Sequence, residues 1–71
     1  MQYHFVVRAW AFVNVTINQV VRSQLRLMKV YHSSAGNDTQ ARQEVAIQYA
    51  QDFPNNSLLF CEVLWLQGAL L

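Results

Sequence analysis

Every odd-numbered residue from Tyr3 to Ile17 is apolar: Tyr3, Phe5, Val7, Ala9, Ala11, Val13, Val15 and Ile17. An unbroken period of two over this length fits a strand with one buried face and fits no helix. The Val, Ile, Phe, Tyr and Trp content points the same way, so residues 2–17 are read as a first strand. Its even side is mixed. His4, Arg8, Asn14 and Thr16 suit water, whereas Val6, Trp10 and Phe12 do not.

The next run, VVRSQLRLMKVYH (20–32), is ambiguous. Val21, Leu25, Leu27 and Tyr31 alternate as a strand would, but Arg22, Arg26 and Lys29 also line one side of a helix. The polar break at Asn18-Gln19 and the β-branched flanks favour a second strand in a hairpin. A two-residue loop pairs Ile17 with Val20 and turns Arg22 and Gln24 toward the core side. A three-residue loop pairs Ile17 with Val21 and keeps Leu25, Leu27 and Tyr31 inward. A one-residue slip exchanges the faces of a strand, so the second register is expected, with an odd-length loop or a bulge. It sets Trp10 opposite Met28, Phe12 opposite Arg26, Arg8 opposite Val30 and Val6 opposite His32.

SSAGND (33–38) reads as a loop because Ser, Gly, Asn and Asp cluster there. Residues 39–53 read as a helix, with Asn37 or Asp38 as cap, Gln40 at capping-box spacing from Asn37, and Asp38 suited to the positive helix end. Its apolar stripe is Ala41, Val45, Ala46, Tyr49, Ala50 and Phe53, and Phe53-Pro54 ends it. LLFCEVLWL (58–66) reads as a third strand and residues 67–71 as a tail. The expected fold is α+β: one β-β-α-β domain over residues 1–71, a three-stranded antiparallel sheet in order 2-1-3, and the helix on one face.

The helix covers the odd face, so the even face stands open. Val6, Trp10, Phe12, Arg26 and Met28 are its candidate protein-interface residues, joined by Leu58, Phe60 and Leu64 if Glu62 points outward. Trp, Phe, Met and Arg are the types enriched at interfaces, and such a patch exceeds what monomers usually expose. A chain of 71 residues buries only about 60% of its unfolded surface, so its core is marginal. Cys61 is alone, and His4, His32 and Cys61 are too few and scattered for a zinc site, which leaves a partner as the expected supplement: a homodimer, a host protein complex, or both. No metal, cofactor or small-molecule substrate is expected. No leader pattern or membrane span is apparent, and cytoplasm is the expected location.

Catalytic readings find little support. Cys61 lies in the most apolar stretch, Glu44, Asp52 and Glu62 have no acid–base spacing, and Gly36 and Gly68 make no phosphate loop. The protein is therefore read as not an enzyme. His4 and His32 fall on one sheet face near its open end, where they suit a metal or a base; ordinary surface histidines are the commoner case. Charge is uneven: residues 1–32 carry Arg8, Arg22, Arg26 and Lys29 without an acid (+4), and residues 33–71 carry Arg42 against Asp38, Glu44, Asp52 and Glu62 (1 − 4 = −3). Arg8, Arg22, Arg26 and Lys29 beside Trp10 and Phe12 give a second reading, a nucleic-acid or anion surface with stacking aromatics. A solvated basic edge that blocks aggregation explains the same cations.

The segment DTQARQEVAIQYAQDFPNNSLLFCEVLWL, behind a long strand and hairpin, resembles small prophage and plasmid accessory proteins, including those described as host cell division inhibitor Icd-like. In size and element order it is also similar to some anti-CRISPR proteins. Ala41, Ala46 and Ala50, the Phe53-Pro54 stop and the closing strand through Val63 carry the resemblance, over less than half of the chain. It implies a non-enzymatic inhibitor that binds a host or defence protein stoichiometrically, often as a dimer. Beside it stand the small nucleic-acid-binding or regulatory module and the small structural subunit of a larger complex.

Overall fold

The computed structural model describes the backbone of residues 2–69 and the side chains of residues 2–64. The chain runs β1 (Tyr3–Ile17), β2 (Val20–Ala35), α1 (Asp38–Asp52) and β3 (Phe60–Ala69). The strands form one antiparallel sheet in the order β2-β1-β3. The expected α+β, β-β-α-β layout holds, and residues 20–32 are strand rather than helix.

The hairpin register is where sequence and structure differ. Asn18 and Gln19 both take left-handed backbone, with φ of 50° and 66°. That is the two-residue turn whose twist matches the flanking strands, and it pairs Ile17 with Val20, not Val21. A bulge then restores the expected register: Ala9 faces Lys29, Trp10 faces Leu27, and Met28 is the extra residue between them. Below the bulge Arg8 faces Val30 and Val6 faces His32, as expected. Above it β2 is turned over. Leu27 and Leu25 oppose Trp10 and Phe12, while Arg26 opposes Ala11 and Arg22 opposes Val15. The expected pairs Trp10–Met28 and Phe12–Arg26 are therefore replaced.

The core lies between the odd side of β1 and the helix. Phe5, Val7, Ala9 and Ala11 meet Tyr31 and Ala35 of β2 and Ala41, Val45 and Tyr49 of α1, with Met28 and Phe53 packed at its margin. Strand β2 runs on to Ala35, into the expected loop, because Tyr31, Ser33 and Ala35 continue to alternate inward. The Ser33 hydroxyl donates to Glu44 Oε2 at 2.6 Å, which satisfies its buried oxygen. Asn37 caps the helix by accepting from Gln40 N at 2.8 Å. Gln40 Oε1 reaches back to Gly36 N at 2.9 Å, one residue earlier than a capping box would take it.

The helix rests on a single row of side chains four residues apart, Ala41, Val45 and Tyr49. Ala46 and Ala50, expected in the stripe, are exposed. Strand β3 begins at Phe60 rather than residue 58: Leu58 packs at the core margin and Leu59 N donates to Trp10 O at 2.9 Å. Ala69 pairs with Tyr3, so part of the expected tail is strand, and residues 70–71 lie outside the described residues.

The ladder between β1 and β3 reaches only Trp10 and Phe60. Beyond it the β1–β2 hairpin projects as a two-stranded arm whose tip residues Ile17, Val20 and Val21 are exposed. The radius of gyration, 14.5 Å, is accordingly well above the roughly 11 Å of a compact chain of this length. Among the described residues no helix is long and apolar enough to cross a membrane.

Candidate interaction surface

Neighbours across an antiparallel pair point to the same side of the sheet, so the pairing fixes what the open face carries. From β1 come His4, Val6, Arg8, Trp10 and Phe12. Opposite them stand His32, Val30, Leu27 and Leu25 of β2 and Leu64, Glu62 and Phe60 of β3. Trp10 lies at the centre, nearly parallel to Phe60 (13°) with ring centroids 6.2 Å apart. Phe12 is 50% exposed, Phe60 and Leu25 44%, Leu27 and Val30 42%. With about 200 Å² for each phenylalanine, Phe12 and Phe60 alone leave roughly 200 Å² open. The three aliphatic neighbours take the patch to the few hundred Å² at which exposed apolar surface on a monomer usually has a role.

The polar groups at the centre of this face are satisfied within it. Glu62 Oε1 accepts from the Trp10 indole N–H at 3.3 Å and lies 3.5 Å from Arg8 Nη1. One carboxylate thus serves an indole and a guanidinium, and the face carries no net charge at its middle. At the sheet end, His4 Nε2 and His32 Nδ1 are 3.0 Å apart.

The other expected interface residues fall elsewhere. Met28 packs at the margin of the helix-side core. Arg26 lies on the helix side of the arm, where its Nε and Nη2 donate to Gln24 Oε1 at 3.2 and 2.9 Å. The bulge is the cause, since it places Met28 and Lys29 together opposite Ala9. Phe60 and Leu64 join the open face as the outward Glu62 required, whereas Leu58 does not. Leu25 and Leu27 are face residues that the expected register missed. The signal for them is the Asn18-Gln19 turn, because a two-residue loop puts both beside Trp10 and Phe12.

The four cations of the N-terminal half are also separated. Arg8 is on the open face, Arg22 and Arg26 are on the opposite side of the arm, and Lys29 turns to the helix. Lys29 Nζ and the Tyr31 hydroxyl both donate to Asp52 Oδ2 at 2.9 Å. These bonds, that of Lys29 first, hold the Asp52 carboxyl below its usual range. Burial, with the bond to Asp52, drives the Tyr31 phenol up. Trp10 and Phe12 therefore do not share a surface with Arg22, Arg26 and Lys29, and β2, which bears those three, is an edge strand, the setting in which cations discourage strand addition.

Cys61 opposes Ala9 on the helix side, away from both histidines. Its burial pushes the thiol up, the Arg42 guanidinium opposing this more weakly, so the thiolate needed of a nucleophile is disfavoured. Arg42 Nη1 is used in a bond to the Cys61 carbonyl at 2.8 Å. Comparison of the chain with protein-family models, with curated proteins and with solved structures found no match.

Proposed function

We propose that the protein is a non-enzymatic interaction module that works by stoichiometric binding, and that a second copy of the chain covers its open sheet face. The observation that carries this reading is the apolar face around Trp10, whose central charges, Arg8 and Glu62, neutralise each other. Two such faces can meet about a two-fold axis without bringing like charges together. The opposite side of the arm cannot, because self-contact there would gather the guanidinium groups of Arg22 and Arg26 from both copies. Area is adequate as well. The molecule is 52 Å long, and two to three strands about 4.8 Å apart along it give roughly 600 Å² of projected face, near the ~800 Å² per partner of a standard interface. The role that the resemblance of residues 38–66 implies, blocking a host or defence protein, requires no catalytic group and remains the proposed biological setting.

Sedimentation equilibrium over a range of protein concentrations tests the reading, with Leu27→Lys on the open face and Arg26→Ala on the opposite side of the arm. The wild type and Arg26→Ala are expected to sediment as dimers and Leu27→Lys as a folded monomer. A wild type that stays monomeric at high micromolar concentration, or a Leu27→Lys dimer as tight as wild type, overturns it.

A further inference from the structure

His4 and His32 stand on neighbouring strands as a diagonal pair on one face, two positions apart along the ladder: His4 opposes Ser34 and Val6 opposes His32. Their rings meet nitrogen to nitrogen, with Nε2 of His4 3.0 Å from Nδ1 of His32, centroids 5.2 Å apart and planes tilted by 36°. Both side chains reach solvent, and both are carried by paired strands, so their main-chain separation is fixed.

We infer that this pair is a two-imidazole chelate for a divalent late-transition-metal cation. With metal–nitrogen bonds of 2.0–2.1 Å, nitrogens 3.0 Å apart subtend about 94° at the ion. That is the cis angle of a square-planar or octahedral centre, the geometries of Cu²⁺ and Ni²⁺, both of which favour imidazole. In the resting pair one imidazole donates N–H to the other. On binding, the donor ring moves that proton to its outer nitrogen, so each ring presents a lone pair and a neutral pair takes up the ion without releasing a proton. Water fills the remaining positions. Among the described residues, the charged groups that the sheet pairing places on this face, Arg8 and Glu62, pair with each other. The pair sits at the sheet end of the open face, and the Leu27→Lys chain, which no second copy covers, is expected to bind Ni²⁺ as the wild type does.

Calorimetric titration of the tag-free chain with NiCl₂ near neutral pH tests it, alongside His4→Gln and His32→Gln. The expected result is one Ni²⁺ per chain, at least tenfold weaker in each variant because one arm of the chelate is gone, with Ni²⁺ raising the melting temperature of the wild type only. Circular dichroism of the metal-free variants checks that the exposed substitutions leave the fold intact, and Asn at either position replaces Gln if they do not. Absence of saturable binding overturns the assignment. So does full affinity in His32→Gln, as an ion held by His4 and main-chain nitrogen would show, or full affinity in His4→Gln.

Discussion

Tyr49 links three elements through one hydroxyl. Its ring is 1% exposed in the core, and its hydroxyl donates to Asn56 Oδ1 at 2.5 Å. Asn56 Nδ2 in turn donates to Phe12 O at 3.2 Å, just past the last β1–β3 pair. Helix, turn and central strand are thus joined where the arm leaves the body. Tyr49→Phe keeps the ring and removes one hydrogen bond. Asn56 is half-buried, so water recovers part of its loss, and the expected cost is about 1 kcal/mol. Asn56→Ala removes both bonds and should cost about 1–2 kcal/mol. Because both substitutions break the same Tyr49–Asn56 bond, the double variant should be about 0.5–1 kcal/mol better than the sum of the singles. A chain of this length has a total stability of roughly 4–11 kcal/mol, so even the smaller loss is readable. With an m-value of about 1 kcal/mol/M in urea, Tyr49→Phe should lower the midpoint by about 1 M. Urea unfolding followed by circular dichroism, at one protein concentration for all variants, measures it. A Tyr49→Phe midpoint equal to wild type, or strictly additive singles, would refute the link.

Gln19 holds a left-handed φ of 66° that glycine takes without strain, so Gln19→Gly should stabilise the hairpin by about 0.5–1 kcal/mol in the same assay. Phe12→Ser should cost the monomer up to about 2.5 kcal/mol, because half of the side chain, about 100 Å², is already covered within the chain. In the proposed dimer it should cost more. About 100 Å² per copy at ~25 cal/mol/Å² is roughly 5 kcal/mol over two copies, an upper limit near a 10³–10⁴-fold rise in the dimer Kd by sedimentation. Asp52 has a folded pKa below its unfolded value, so its stabilising effect is full above the unfolded pKa and is lost as pH falls through the folded one. Asp52→Asn should flatten the decline in melting temperature on acidification below about pH 4. Tyr31 and Tyr49 have raised folded values. Their contribution is present below the unfolded tyrosine value and declines as pH rises above about 10, which thermal melts from pH 9 to 11 will show as a smaller slope in Tyr49→Phe.

What could be read in advance follows from how far each pattern extends. The alternation from Tyr3 to Ile17 is long enough to leave one interpretation, a strand with one apolar side, and that side is core as far as Ala11; its central place follows from the strand order. The Asn37 cap and the Phe53-Pro54 stop are local signals that act through the nearest few backbone groups, and both hold. The β2 register depended on a single residue. Met28 is flexible and apolar and suits either face, so nothing in VVRSQLRLMKVYH marks it as the extra one. Asn-Gln is also a weaker two-residue turn signal than Asn-Gly. Ala46 and Ala50 mislead for a different reason: alanine fits a buried stripe and an exposed helix surface equally well. The histidines share one face, as expected, because they lie below the bulge, where the expected register survives, but their approach to 3.0 Å depends on rotamers that no spacing encodes.

The bulge bears most directly on function because of what it sorts. The arm is apolar on both sides in either register, since Val13, Val15 and Ile17 face one way and Phe12 the other, and the core ends at Ala11. With continuous odd pairing, Leu25 and Leu27 would join those valines, while Arg22 and Arg26 would stand among Phe12 and its neighbours. The open side would then mix large apolar groups with unneutralised cations, since the odd side would carry only Lys29, which Asp52 neutralises. The extra residue at Met28 instead gathers Trp10, Phe12, Leu25, Leu27 and Phe60 on the side whose charges cancel, and leaves Arg22, Gln24 and Arg26 among small β-branched residues. A surface with large side chains and no net charge gains from desolvation against its own copy, and a surface with two guanidinium groups does not. In the proposed dimer, one inserted residue thus gives the arm one side for self-contact and one side left to water.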